Sequence, residues 1–125
     1  MPLSYTIDPD RRLVTITGDY ANASEWLKLA AALLRDRRLK PGFCFIRDLR
    51  GATHPQNTKT VIAIFRVVQR FWPNFTPAKG AIVTNRNDDS SALVAQALAD
   101  TSGLPIQVFT SYDAGLEWLD DEHPL

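Results

Sequence analysis

The residues best suited to chemistry in this chain are gathered in one polar stretch, Arg50-Gly51-Ala52-Thr53-His54-Pro55-Gln56-Asn57-Thr58. Arg50 offers a guanidinium, Thr53 and Thr58 hydroxyls, His54 an imidazole and Asn57 an amide. The stretch follows an apolar run and precedes a helical pattern, which is where open α/β sheets bind ligands, beyond the carboxyl ends of their strands. Free N–H groups at a helix N-terminus, assisted by Arg50, suit a phosphate or carboxylate. Arg50, Gly51, Thr53, His54, Asn57 and Thr58 are therefore the candidate ligand-binding residues, with a small anionic molecule or a lipid headgroup as the ligand. The competing reading is that Asn57 or Thr58 only caps the helix.

A second candidate set lies on the helix that follows. Lys59, Arg66 and Arg70 fall on one side of it, opposite the apolar stripe Val61, Ile64, Phe65, Val68 and Trp72. Ile62 and Val67 widen the apolar arc beyond one core contact, and Phe71 through Phe75 adds aromatic mass at the exit. Lys59, Ile62, Arg66, Val67, Arg70, Phe71 and Phe75 form an expected surface for a homodimer or a regulatory protein partner. An anionic membrane and nucleic acid are weaker alternatives, nucleic acid being unlikely.

Catalytic constellations are absent from the sequence. Gly-x-Ser-x-Gly, a phosphate-binding Walker loop, Gly-x-Gly-x-x-Gly and His-Glu-x-x-His do not occur. His54 and His123 are the only histidines, which suggests no metal centre, and no cofactor motif is present. Cys44 sits in an apolar run, where a thiol behaves as a small hydrophobe. Asp48 and His54 would need Ser90 or Ser91 brought to them across loops to make a nucleophilic triad, and spacing alone does not supply that. A non-catalytic protein is expected.

The elements that must position these residues follow from patterning. Tyr5–Ile7 and Leu13–Thr17 flank Asp8-Pro9-Asp10-Arg11 and predict a hairpin. Asn22 with Glu25 makes a capping box for a helix over 23–37, with Leu27, Ala30, Ala31 and Leu34 in helical register. Phe43–Ile46, ending in Arg47-Asp48, reads as a strand buried on both faces. A helix over 58–72 stopped by Pro73, a strand at 81–84 and a third helix with Val94, Ala97 and Leu98 as its core face follow. A strand at 106–109 and a last helix capped by Ser111 complete the order ββαβαβαβα. Trp118, Leu119 and Leu116 are expected to anchor that last helix. This order predicts one α/β domain over residues 1–125, a single mixed, mostly parallel sheet with right-handed crossovers.

Composition sets the frame. The chain has 125 residues, 45% hydrophobic and 22% charged, as in ordinary folded domains. A lone cysteine cannot make an internal disulfide, no apolar run is long enough to span a membrane, and no signal-peptide pattern opens the sequence, so a cytoplasmic location is expected. Formal net charge is zero, yet the charges are sorted. Arg35 to Arg86 holds eleven bases and only Asp36 and Asp48 as acids, whereas Asp88 to the end holds eight acids and no base.

Three stretches then carry a family resemblance: Arg11-Arg12-Leu13-Val14-Thr15-Ile16-Thr17-Gly18, Asp48-Leu49-Arg50-Gly51, and Ala114-Gly115-Leu116-Glu117-Trp118-Leu119. Together with the element order they resemble the bacterial STAS-like, SpoIIAA-like family. That resemblance implies a βα superhelix fold and regulation by association with partners. Antagonists of that family carry Asp-Ser-Ser-Gly with a phosphorylated serine. Here Arg50 stands in the matching stretch, so the phospho-switch does not transfer.

Overall fold

The structure, a computed structural model, describes residues 3–19, 22–52, 57–85 and 90–120. Its elements are β1 (Ser4–Asp8), β2 (Leu13–Thr17), α1 (Ala23–Arg35), β3 (Cys44–Asp48), α2 (Thr58–Phe71), β4 (Gly80–Val83), α3 (Ser90–Ser102), β5 (Ile106–Phe109) and α4 (Tyr112–Asp120). The five strands make one sheet in the order β1-β2-β3-β4-β5. β1 and β2 are antiparallel, and every other pair is parallel. The α/β class and the mixed, mostly parallel sheet are as the patterning predicted.

Local chemistry explains the boundaries. In the hairpin turn the Asp8 carboxylate accepts from the Asp10 and Arg11 amides at 3.1 and 3.2 Å. Asn22 caps α1 by accepting from the Glu25 amide at 2.9 Å. The helix stops at Arg35, two residues before the expected end. Asp36 adopts an extended conformation there, and its carboxylate takes the Arg38 amide and guanidinium and the Tyr5 hydroxyl. Pro73 ends α2 as expected, in a short 3-10 turn over Trp72–Asn74. At the end of α3, Gly103 has φ +74° and the Leu104 amide bonds back to the Ala99 carbonyl, so a side chain at 103 would be strained.

Advancing strand by strand in one direction puts α1, α2 and α3 side by side on one face of the sheet. That face is covered through Val14, Ile16, Phe45, Leu29, Leu33, Phe65 and Trp72, among others. The alternate residues of the same strands point the other way. There Leu13, Ile46, Ala81 and Val83 meet α4 through Leu119, with Leu116 and Trp118 packed at the margin, so the predicted anchors of α4 do hold it. Gly115 allows this close seat, since a Cβ there would come within 3.2 Å of the Val83 side chain.

Two helical faces differ from the sequence reading: on α1 the buried residues are Leu29, Ala30 and Leu33, so the expected stripe members Leu27 and Leu34 are exposed, and α3 is rotated as well. Ala92 and Ala99, with Ser91, are the buried residues of α3, while Ala97 is exposed and Val94 and Leu98 are half-buried. Small side chains face the sheet because they bring the helix axis close to it, and the larger residues turn toward the margin.

Candidate functional site

The loop stretch resolves into local structure. Arg50 is exposed, but its guanidinium grips the Asp48 carboxylate with two bonds of 2.9 Å and lies over the Tyr112 ring, 4.4 Å from its centroid. The Arg50 hydrogen bond holds the Asp48 carboxyl below the usual carboxylate range, and Asp48 in turn raises the Arg50 pKa. The Asn85 amide donates to the Arg50 carbonyl at 3.1 Å, tying the end of β4 to this corner. Gly51 is exposed. Asn57 caps α2, accepting from the Thr60 amide at 2.9 Å, and Thr58 is the exposed first residue of the helix. Thr53 and His54 lie outside the described residues. Arg50 and Asn57 thus have structural partners, and the described part of the loop holds no convergent cradle of polar groups.

The α2 surface divides in two. Lys59, Arg66 and Arg70 are exposed, and Ile62 is half-buried. Phe75, expected at the surface, is instead in the core with its ring 5.2 Å from that of Phe45, because the turn after Trp72 folds the chain back against the central strand β3. Val67 and Phe71 are half-buried and line a partly open apolar cavity.

That cavity is the outstanding feature of the site. It lies between the sheet and the layer α1–α3 and has a volume of about 170 Å³. Its walls are almost wholly apolar. Trp26, Phe65, Phe71 and Trp72 contribute rings, Leu29, Ile64 and Val68 contribute aliphatic groups, and Ala30, Ala92, Ala95 and Gly80 contribute almost no bulk. Ala30, Ala92 and Ala95 add little bulk to the wall, whereas Gly80 is where the Trp72 ring seats, since a Cβ there would come within 3.2 Å of it. The part-exposed Trp26, Ile64 and Val67 bring its wall to the seam between α1 and α2.

The polar groups on the cavity wall are Arg47 and Ser91, both buried. Arg47 donates to the carbonyls of Ile16, Gly18 and Asp19 at 3.4, 3.1 and 3.0 Å, and its guanidinium carbon is 5.5 Å from the Trp26 ring centroid. It therefore fastens the carboxyl end of β2 and the approach to α1 around one corner of the cavity. Sequence reading missed both Arg47 and the cavity. The signal present was the alanine spacing 92, 95, 99 on α3, which marks a face that approaches the sheet without filling the gap. Among the described residues no group of three or more His, Cys, Asp and Glu is placed to hold a metal, and no helix is long and apolar enough to cross a membrane.

Comparison with protein-family models, curated proteins and solved structures found no match to this chain.

Proposed function

We propose that this chain is a non-catalytic binding or carrier domain for a compact apolar molecule, held between the sheet and helices α1–α3. The observation behind this reading is the cavity of about 170 Å³ with its nearly unbroken apolar wall. A cavity of similar volume, about 150 Å³ lined by Leu, Ile and Phe side chains, stays dry and takes up benzene. A single ring or a short branched chain is the matching size class. Water gains little in such a space, having too few partners for its hydrogen bonds, so an apolar guest meets almost no competition. This reading is favoured over the anionic molecule expected from the loop by the local contacts that Arg50 and Asn57 already make.

The partner-protein reading draws on the broad apolar arc of α2, with Ile62 and Val67, its aromatic exit and the family resemblance. With Phe75 in the core and Val67 and Phe71 on the cavity wall, less apolar surface remains there for a partner. Titration calorimetry with toluene tests the cavity reading. Saturable binding by the folded chain is expected, with loss of binding in Ala95→Leu, whose added carbons occupy the space. A wild-type chain that takes up no toluene, or an Ala95→Leu variant that binds it unchanged, would count against the proposal.

A further inference from the structure

Helices on the two sides of this molecule expose charge of opposite sign. α1 and α2 lie side by side over one face of the sheet, and their outward surfaces expose Lys28, Arg35, Lys59, Arg66 and Arg70. Glu25 is the one acid in these two helices. Among the described residues none of the five bases carries an ion pair. α4, on the opposite face of the sheet, has Asp113, Glu117 and Asp120 exposed and contains no base. The outward surfaces of α1 and α2 are thus basic and α4 carries exposed acids, while Arg50 and Lys79 reach α4 at Tyr112 and Trp118 and Asp100 is exposed on α3.

Exposed leucines accompany the bases. Leu27 and Leu34 are 41% and 45% exposed and stand two turns apart on α1, each immediately before one of its bases, Lys28 or Arg35. Residues seven apart share a helix face, so leucines and bases form neighbouring stripes along α1, and Lys59, Arg66 and Arg70 continue the basic surface on α2. Leu93, 60% exposed, adds an apolar group on α3 of the same layer. Bases flanking protruding leucines, on helices lying in one plane, match the interfacial region of a bilayer with anionic headgroups. The cavity lies directly under these helices and reaches their seam at Trp26, Ile64 and Val67.

We infer that the outer face of α1 and α2 docks on an anionic membrane surface, from which the cavity takes its apolar ligand. The second half rests on the cavity reading; the docking stands on charge and leucine placement and is measurable without any ligand. An apolar guest is concentrated in a bilayer, and a carrier that lies on the membrane with its binding layer downward shortens the ligand's path through water.

Cosedimentation with vesicles tests the inference, using phosphatidylcholine alone and phosphatidylcholine mixed with phosphatidylglycerol. Binding to the mixed vesicles, but not to the neutral ones, is expected, and it should weaken as salt shortens the Debye length from about 8 Å at physiological ionic strength. Each base near an anionic surface contributes roughly a fivefold factor in partitioning, so the double variant Arg66→Glu, Arg70→Glu should lose roughly twenty-five-fold or more. Leu27→Ser with Leu34→Ser should also reduce binding. None of these side chains lines the cavity, so both variants should keep the wild-type melting temperature and toluene affinity. Equal binding to neutral vesicles, or no vesicle binding by the wild type, would overturn the docking while leaving toluene uptake to judge the cavity. A salt-sensitive oligomer in place of vesicle binding, lost on Asp113→Asn with Glu117→Gln, would overturn it too, assigning the basic face to the acidic helix of a second copy. Vesicle binding without toluene uptake would sustain the docking and remove the cavity reading.

Discussion

The side chain of Gln96 lies along the free edge of β5 as an added strand would, accepting from the Val108 amide at 2.8 Å. The same carboxamide donates to the Ile106 carbonyl at 3.1 Å, and to the Asp100 carboxylate at 2.9 Å. One residue of α3 thereby satisfies an amide and a carbonyl that would otherwise face outward from the last strand of the sheet.

Removing that cover should destabilise the fold and open the edge. Gln96→Ala is expected to cost about 1–2 kcal/mol in urea denaturation, the scale of losing hydrogen bonds at a partly buried site. Gln96→Glu should be at least as costly, because a carboxylate still accepts from Val108 but faces the Ile106 carbonyl and Asp100 without a proton to donate. Size-exclusion chromatography should show new concentration-dependent association in Gln96→Ala. An unchanged melting curve and elution volume would mean that the edge needs no protection.

Arg47 is the charged group whose removal should hurt most. Its guanidinium serves three carbonyls at the end of β2 and is buried beside Trp26. Arg47→Met keeps much of the length but leaves those carbonyls short of donors, at an expected cost of about 2–3 kcal/mol. Arg47→Lys should recover only part of this, since one ammonium cannot reproduce the fork that reaches Gly18 and Asp19 together. Full rescue by lysine in chemical denaturation would show that charge alone matters there.

Asp48 predicts an acid-side dependence of stability. Its pKa is lowered chiefly by the hydrogen bond from Arg50. A carboxyl whose folded pKa lies below its unfolded value of about 3.9 contributes stability that is fully present above that value, and the contribution is lost as pH falls through the folded pKa. Asp36 acts in the same sense, with its pKa lowered first by the Arg38 side chain. The melting temperature should therefore fall more steeply below about pH 4 in the wild type than in Asp48→Asn, with the two curves parallel from about pH 6 to 8. Equal acid limbs would show that the Asp48–Arg50 pair has no net effect on folding.

Trp118 is half-buried, its ring 5.7 Å from that of Phe109 and 5.0 Å from the Lys79 ammonium. Complete burial would put Trp118→Ala at 3–5 kcal/mol; partial exposure lowers the expectation to about 2 kcal/mol. Trp118 also lies across the sheet from the cavity, whereas Trp26 and Trp72 line it. An apolar guest should thus change the fluorescence of the wild type and of Trp118→Phe alike, and leave the Trp26→Phe, Trp72→Phe double variant unchanged. A response carried by Trp118 would place the ligand on the α4 side.

Much of the architecture was legible in the sequence because it is decided over a few neighbouring residues. Asn22 and Asn57 cap the helices they precede, Ser111 caps α4 by accepting from the Ala114 amide at 3.2 Å, and the Asp8-Pro9-Asp10 turn closes the hairpin. Alternation of strand and helix signals then leaves few topologies once crossovers share one hand. The candidate loop was legible as a position but not as a site: that Arg50 would turn to Asp48 and Tyr112 depends on side chains arriving from β3 and α4.

What the sequence by itself determined was the order of elements, their caps and the segregation of charge along the chain. Only the tertiary structure decided that α3 presents alanines to the sheet, that Phe75 and Arg47 are interior, and that the basic helices and the acidic helix lie on opposite faces. The physical reason is the range of the forces involved. Caps, turns and periodicity act within about one helical turn, whereas a cavity is the volume left over when separate elements meet, lined here by residues of α1, α2, α3 and the sheet that are distant in the chain.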